Sequence, residues 1–350
     1  MLNLRLVRSP LDSAANESIL KDYNRLTGAR IPIQEFVHWV QDSPAGPAWH
    51  GLLETDEGRI VGHTSLFPFR TVSNDGRLTP AKSEFSVLHE DFRGLKIRGY
   101  EKAARPAFII LLDQVFKQGL AEGWGPIFAS TNEKNQVFTR KVGLRPVELP
   151  LSECLMILKP AAAARETPNL VSRQRAALFV AGLGQQVVSL PARLIPKPGE
   201  IHSLPVKSHA VAPDRQRLSF FEDQPSLSWR YLDGQYVRFG FDAAPEDYVI
   251  AKRGCKDRYL RVLQWRLESL RSVRPLLLAL IHQARSDRAL GLRWAVYDNT
   301  ARAHELVQGM RGVGFLCARR TRIMMVHVQH PEFVSPAAWN MNDSLFSFDP

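Results

Sequence analysis

Apolar and polar residues alternate along this chain in two different rhythms. In "ESILKDYNRLTG", Ile19, Tyr23 and Leu26 recur at helical spacing and Gly28 ends the run. "IQEFVHWVQDS" predicts a second, shorter helix. The period then changes. "AWHGLLE", "RIVGHTSLFPF" and "AKSEFSVLH" are strand-like, and the turns between them, "TDEG" and "SNDG", carry the Asp, Asn and Gly that hairpins need. The expectation is an antiparallel meander. A long helix follows, with Pro106 in its first turn and Phe108, Leu111, Leu112, Val115 and Phe116 on one face. "GPIFAST" is a strand, "EKNQVFTRKVGL" a short helix ending near Gly143, and "CLMILKP" a closing strand.

The pattern breaks after residue 159. Residues 160–217 are proline-rich, as a linker is, and enclose one helical stretch over 173–195. Leu178, Phe179, Leu183, Val187, Leu190 and Leu194 share a face there, flanked by arginines. Two readings are open: a connecting helix packed on a domain, or an interfacial helix in peripheral contact with a membrane. Residues 218–350 repeat the order of the first half. "EDYVIAKRG" and "RYLRVLQWRLE" are strands, "VRPLLLALIHQARSDRA" a helix, "GLRWAVYD" a strand, "TARAHELVQGMRGVG" a helix and "ARRTRIMMVHV" a strand. The expected division is 1–159, a linker over 160–217, and 218–350. The fold class is α/β (α+β), two copies of a mixed, mainly antiparallel sheet flanked by helices.

Composition narrows the function classes. The net charge of +11 over 350 residues points to acidic partners: nucleic acid, an anionic membrane surface or a phosphorylated ligand. The run Arg253, Arg258, Arg261, Arg266, Arg271, Arg274 fits a solvated face better than a nucleic-acid site. Three cysteines, Cys154, Cys255 and Cys317, stand far apart with no CxxC spacing, which fits a reducing, cytoplasmic setting. The ten histidines form no ligand spacing with carboxylates, so no metal is expected. No signal peptide or spanning apolar run is visible.

The meander, the strand ending "SVLHEDFRG", the long helix, the strand "PIFAST" and the segment "NEKNQVFTRKVGLRPV" together resemble the GNAT (Gcn5-related) N-acyltransferase superfamily. The likeness covers about residues 15–158, and 215–330 at the level of topology, so the whole chain resembles a tandem GNAT protein, with a distant likeness to Fem ligases. The resemblance implies acetyl-CoA or another acyl-CoA as co-substrate. Its pantetheine arm would lie along Val87, Leu88 and His89, and its pyrophosphate at the loop before the long helix, where this sequence has Arg93, Gly94, Lys96, Arg98 and Gly99. The glycines are out of the family's register and the loop is several residues longer. Basic side chains replacing backbone contacts, a site that has lost CoA, or a solvated surface loop all fit. Asn132 and Asn135 fall where the family's asparagine contacts CoA or starts the helix; Asn135 also fits a helix cap.

The same resemblance implies Leu88 as the N–H donor to the oxyanion. Strand alternation places Glu84 and Ser86 on one face, with Glu84 as base or as a rim carboxylate. The family's acidic tyrosine is replaced by Thr139, leaving water or Tyr100 to protonate the thiolate. The second half has no glycine loop, and Trp229, Arg230 and Tyr231 fit an acceptor site or a domain interface. The expected function is N-acyl transfer to a primary amine of a small molecule, such as an amino sugar or polysaccharide precursor. The rivals are a non-catalytic binding module for nucleic acid, membrane or protein, and a Fem-like transferase using aminoacyl-tRNA.

Overall fold

The computed structural model describes residues 1–73, 76–130, 133–167, 171–188, 201–204, 218–220, 224–231, 234–241, 246–255, 257–299 and 302–339. The first half runs β1 (Asn3–Arg8), α1 (Ser13–Thr27), α2 (Ile33–Gln41), β2 (Trp49–Glu54), β3 (Ile60–Pro68), β4 (Thr71–Ser73), β5 (Gly76–Leu78), β6 (Ala81–Leu88), α3 (Ala107–Ala121), β7 (Ile127–Ser130), α4 (Glu133–Lys141) and β8 (Leu144–Ile157). After α5 (Pro160–Glu166) and α6 (Ser172–Val188) come β9 (Ile201–Leu204), β10 (Ser219–Phe220), α7 (Gln224–Arg230), β11 (Tyr236–Phe241), β12 (Tyr248–Lys252), β13 (Leu260–Arg266), α8 (Val273–Ser286), β14 (Gly291–Tyr297), α9 (Ala303–Gly312) and β15 (Leu316–His327).

The elements follow from local chemistry. Asp12 caps α1 by accepting from the Ala15 N–H at 2.7 Å, and Gly28 closes it in the left-handed conformation. The short alternating run "LRLV" builds β1, an edge strand that the apolar pattern alone did not announce. Helix α3 packs unusually close to the sheet: a Cβ on Gly51 would meet Val115 at 2.4 Å and Leu111 at 2.7 Å. That close seating fixes where the N-terminus of α3 points.

Twelve strands form one sheet in the order β1-β2-β3-β6-β7-β15-β8-β14-β13-β12-β11-β9. Its parallel neighbours are β6–β7 and β13–β14; the other pairs are antiparallel. The halves exchange their last strands. β15, from the second half, lies against β7 of the first, and β8, from the first, lies against β14 of the second. β8 and β15 then pair with each other over Leu144–Leu155 and Leu316–His327. At that seam Cys154 and Cys317, 163 residues apart in sequence, are cross-linked. Spacing along the chain could not show this pairing; Cys255 is free.

One face of the sheet carries α1 and α2, with Phe36, Trp39, Phe67, Phe85 and Trp229 among the buried core there. The other carries α3 in the first half and α8 and α9 in the second. The sheet curls back far enough for Glu35 on α2 to face Lys252 on β12 at 3.8 Å. Helix α6 is seated by Gln185, which accepts from the Ile157 N–H at 2.9 Å and donates to the Leu155 carbonyl at 2.7 Å. Its outer side leaves Val180, Leu183 and Val187 exposed; residues 189–195 lie outside those described.

Candidate active site

β6 and β7 pair only at Ala81–Ile127 and Lys82–Phe128. Beyond Lys82 they separate. The cause lies in β6 itself. Phe85 sits at φ 54°, and the register with β3 shifts between His63 and Ser65, so β6 bulges. The left-handed backbone costs on the order of 1 kcal/mol. Packing offsets it: the Phe85 ring lies 5.1 Å from Tyr23, 5.0 Å from Phe36 and 6.3 Å from Trp39.

A buried hydrogen-bond chain also holds the bulge. His63 donates through Nδ1 to the Phe85 carbonyl at 3.0 Å, so its Nε2 accepts, from His50 Nδ1 or the Ser65 hydroxyl, each at 3.1 Å. His50 reaches Ser9 Oγ at 2.7 Å. Burial pushes the His50 imidazole well below the usual histidine range and the His63 imidazole down to about 3, so both are neutral.

The bulge rewrites the strand's faces. Ser83 and Ser86 both approach the Thr64 hydroxyl, at 3.4 and 2.7 Å, while Glu84 aligns with Ser65 and forms an ion pair with Lys82. Glu84 and Ser86 therefore lie on opposite faces, not on one as simple alternation implies. The extra residue slips the period by one. Glu84 and Val87 look toward α1, and Ser86 and Leu88 toward α3.

Where the strands part, a cavity of about 1040 Å³ passes through the sheet. On the α3 side it is bounded by Phe108, Leu112, Phe138 and Thr139; on the other by Tyr23, Leu26, Thr27 and Arg322. Ser83 to Leu88 form its wall. The His89 N–H is donated to the Val61 carbonyl at 2.9 Å, back toward β3. Successive strand N–H groups point to opposite sides, so the Leu88 N–H points into the gap.

The basic loop after β6 is divided. Arg93 borders the cavity. Lys96 instead donates to the Ala103 carbonyl at 2.9 Å, Arg98 pairs with Asp56 at 2.9 Å, and the Gly99 N–H goes to Glu101 at 2.8 Å. Leu2 of the β1 edge bonds the loop backbone on both sides of Ile97, which draws the extra residues away from the mouth. A Cβ on Gly94 or Gly99 would meet nothing within 4 Å. Pro106 precedes α3 without a capping side chain, and the first turn holds no acid, so its N–H groups suit an anion at the Arg93 end. Asn132 and the side chain of Asn135 lie outside the described residues.

Other expected residues fall elsewhere. Thr139 borders the cavity but its hydroxyl donates to the Gln136 carbonyl at 3.0 Å. Tyr100 packs with the Leu2, Ile97 and Ile110 cluster. Trp229 and Tyr231 are interface packing residues: Trp229 donates to the Trp39 carbonyl at 3.2 Å and Tyr231 to Gln264 at 2.6 Å. Tyr23, noted in the sequence only for its helical spacing, supplies a phenol at the cavity. Arg261 and Arg322 reach it from the second half, which no linear motif could indicate. Among the described residues no cluster of His, Cys, Asp or Glu could hold a metal, and no helix is long and apolar enough to cross a membrane.

The sequence matches no protein-family model and no curated protein. Solved structures do match. A probable N-acyltransferase from Enterococcus faecalis superposes with a TM-score of 0.57 at 10% identity, covering 93% of this chain and 72% of that one. A tandem GNAT protein from the clavulanic acid biosynthesis pathway gives 0.53 at 10%, covering 92% and 98%. A GCN5-related N-acetyltransferase from Kribbella flavida gives 0.50 at 13%, covering 92% and 70%. At these identities the likeness is one of fold, and that fold is the tandem GNAT fold.

Proposed function

We propose that this tandem GNAT-fold chain transfers an acyl group from an acyl-CoA thioester to a primary amine of a small molecule, at the gap between β6 and β7. One observation carries the reading: the cavity opens where the Leu88 N–H points inward, with the N-terminus of α3 and Arg93 at one mouth. A thioester in the gap has its pantetheine amides beside an unpaired stretch of β6 and its phosphates at the helix start.

The chemistry follows from the residues there. The neutral amine attacks the thioester carbonyl and forms the C–N bond. Leu88 N–H holds the oxyanion. Glu84, ion-paired with Lys82, takes the amine proton directly or through water. Collapse breaks the C–S bond, and the departing thiolate takes a proton from Tyr23 or water. Thr139 does not fill that role, because its proton is committed to Gln136. No cysteine lines the cavity among the described residues, which supports direct transfer without an acyl-enzyme.

The test is thiol release from acetyl-CoA in the presence of a set of primary amines. The reading expects amine-dependent release that Ser86→Trp abolishes by filling the gap. Release that ignores the amine, or that survives the substitution, refutes it.

A further inference from the structure

We infer that the acceptor amine carries an oxyanion, a carboxylate or a phosphate, which is held at the second-half wall of the cavity that Arg322 and Arg261 line. This rests on the gap being the acyl-transfer site, and it names the acceptor class that the site would take.

The charged residues bordering the cavity are Arg93, Arg261, Arg322 and Glu84. Glu84 is offset by Lys82. Arg93 belongs to the mouth beside α3. The opposite mouth, where an acceptor must enter if the thioester comes along α3, is therefore left with Arg261 and Arg322. Strand register puts these two on one face. Arg322 aligns with Leu149 on β8, Leu155 with Arg293 on β14, and Arg293 with Arg261 on β13. Leu149 and Leu155 are an even number of residues apart, so all five positions look the same way.

Both guanidiniums are oriented before any ligand arrives. Arg322 donates to the Tyr297 hydroxyl at 2.6 Å and lies over its ring at 5.8 Å. Arg261 shares Asp257 with Arg293, at 3.6 and 2.9 Å, so two cations face one carboxylate there. A planar guanidinium matches the paired oxygens of a carboxylate or phosphate. The same charge repels an ammonium and so favours the neutral amine that must attack. An acceptor with a second cation would meet this wall unfavourably.

Binding of small amines to the full chain without any CoA separates this inference from the transfer reading. Ligand-observed NMR would compare β-alanine with β-alaninamide, ε-aminocaproate with its amide, and O-phosphoethanolamine with ethanolamine; cadaverine is the cationic control. The expectation is that a probe carrying a carboxylate or phosphate binds about tenfold or more tighter than its partner lacking that group, while cadaverine binds weakest. Whether the carboxylate or the phosphate pair shows the larger ratio identifies the anion. The ratio should fall to about one in Arg261→Gln plus Arg322→Gln and be partly kept in Arg322→Lys. Thermal unfolding confirms that each variant is folded. Equal binding of probes with and without the carboxylate or phosphate, no binding of any probe that carries one, or a ratio that survives the double substitution overturns the inference. A preserved preference in a chain that fails to release thiol would refute the transfer reading alone.

Discussion

The molecule contains the same strand divergence twice, and only one copy is open. Between β6 and β7 the parallel pairing ends after two residue pairs and a cavity follows. Between β13 and β14 it ends after three. Trp265 and Trp294 meet there edge to face at 6.3 Å, within the core under α8. Both divergences start at a bulge. The second, where β12 and β13 slip between Ile250 and Ala251, is held by the fully buried Gln264, bonded to the Tyr231 and Tyr248 hydroxyls at 2.6 and 2.8 Å.

The helix starts differ in the same sense. Before α3 no side chain caps the helix and its first turn holds no acid. Before α8 the chain supplies its own anion. Asp247, fully buried, accepts from the Glu268 and Ser269 N–H groups and from the Ser272 hydroxyl. A carboxylate thus stands before α8 where, in the proposed reading, the donor's phosphate would stand before α3. The comparison teaches that one fold makes a site or a brace by what fills the fork and the helix start, while the strand order stays the same.

Four experiments would break or sharpen that comparison. The largest effect is expected from Asp247→Ala. Three donors, one of them buried and two partly buried, lose their acceptor, so stability should fall by about 3 kcal/mol, read by chemical denaturation. Donor affinity should be unchanged; an unaltered midpoint would show that the second helix start needs no anion. Next is Ser86→Trp, which puts into the first fork what Trp265 puts into the second. Acetyl-CoA affinity should drop roughly a hundredfold, about 2.7 kcal/mol, by calorimetry, and an intact affinity would place the donor elsewhere.

The third experiment concerns acid. Above pH 6.5 both His50 and His63 are neutral, folded or unfolded. Below it the unfolded chain gains protons that the folded chain, with His63 at about 3, does not take up. Stability should therefore fall as pH drops from 6.5 toward 3, by up to about 1.4 kcal/mol per pH unit for each histidine. The second bulge, pinned by Gln264, adds no such slope. Thermal unfolding across this window should show the loss, and His50→Gln plus His63→Gln should flatten it; an equally steep variant would assign the slope to other groups. The smallest effect lies in the basic loop. Arg93→Ala should weaken CoA binding by about 1 kcal/mol, whereas Lys96→Ala, already turned to Ala103, should leave it unchanged.

Much of the scaffold was legible in the sequence because it is written locally. The hairpin turns, the α3 face and the helix end at Gly28 are short-range signals, and they carried the family resemblance and the position of the gap. What escaped was written at long range. The Phe85 bulge depends on partners at Tyr23, Phe36 and His63, so alternation misplaced Glu84 relative to Ser86. The strand exchange and the Cys154–Cys317 link join residues 163 apart. Lys96 and Arg98 looked like phosphate ligands by charge, yet bonds to Ala103 and Asp56 take them elsewhere. Asp247 lies 21 residues from one of its donors, and nothing in its neighbourhood marks it as an internal anion.

The most direct test of the central claim is the stoichiometry of acetyl-CoA binding by calorimetry, on the natural chain and on Ser86→Trp. One molecule per chain, lost on filling the first fork, is the predicted result. Two molecules per chain, none, or a single molecule that Ser86→Trp leaves in place would contradict the account of one open and one closed fork.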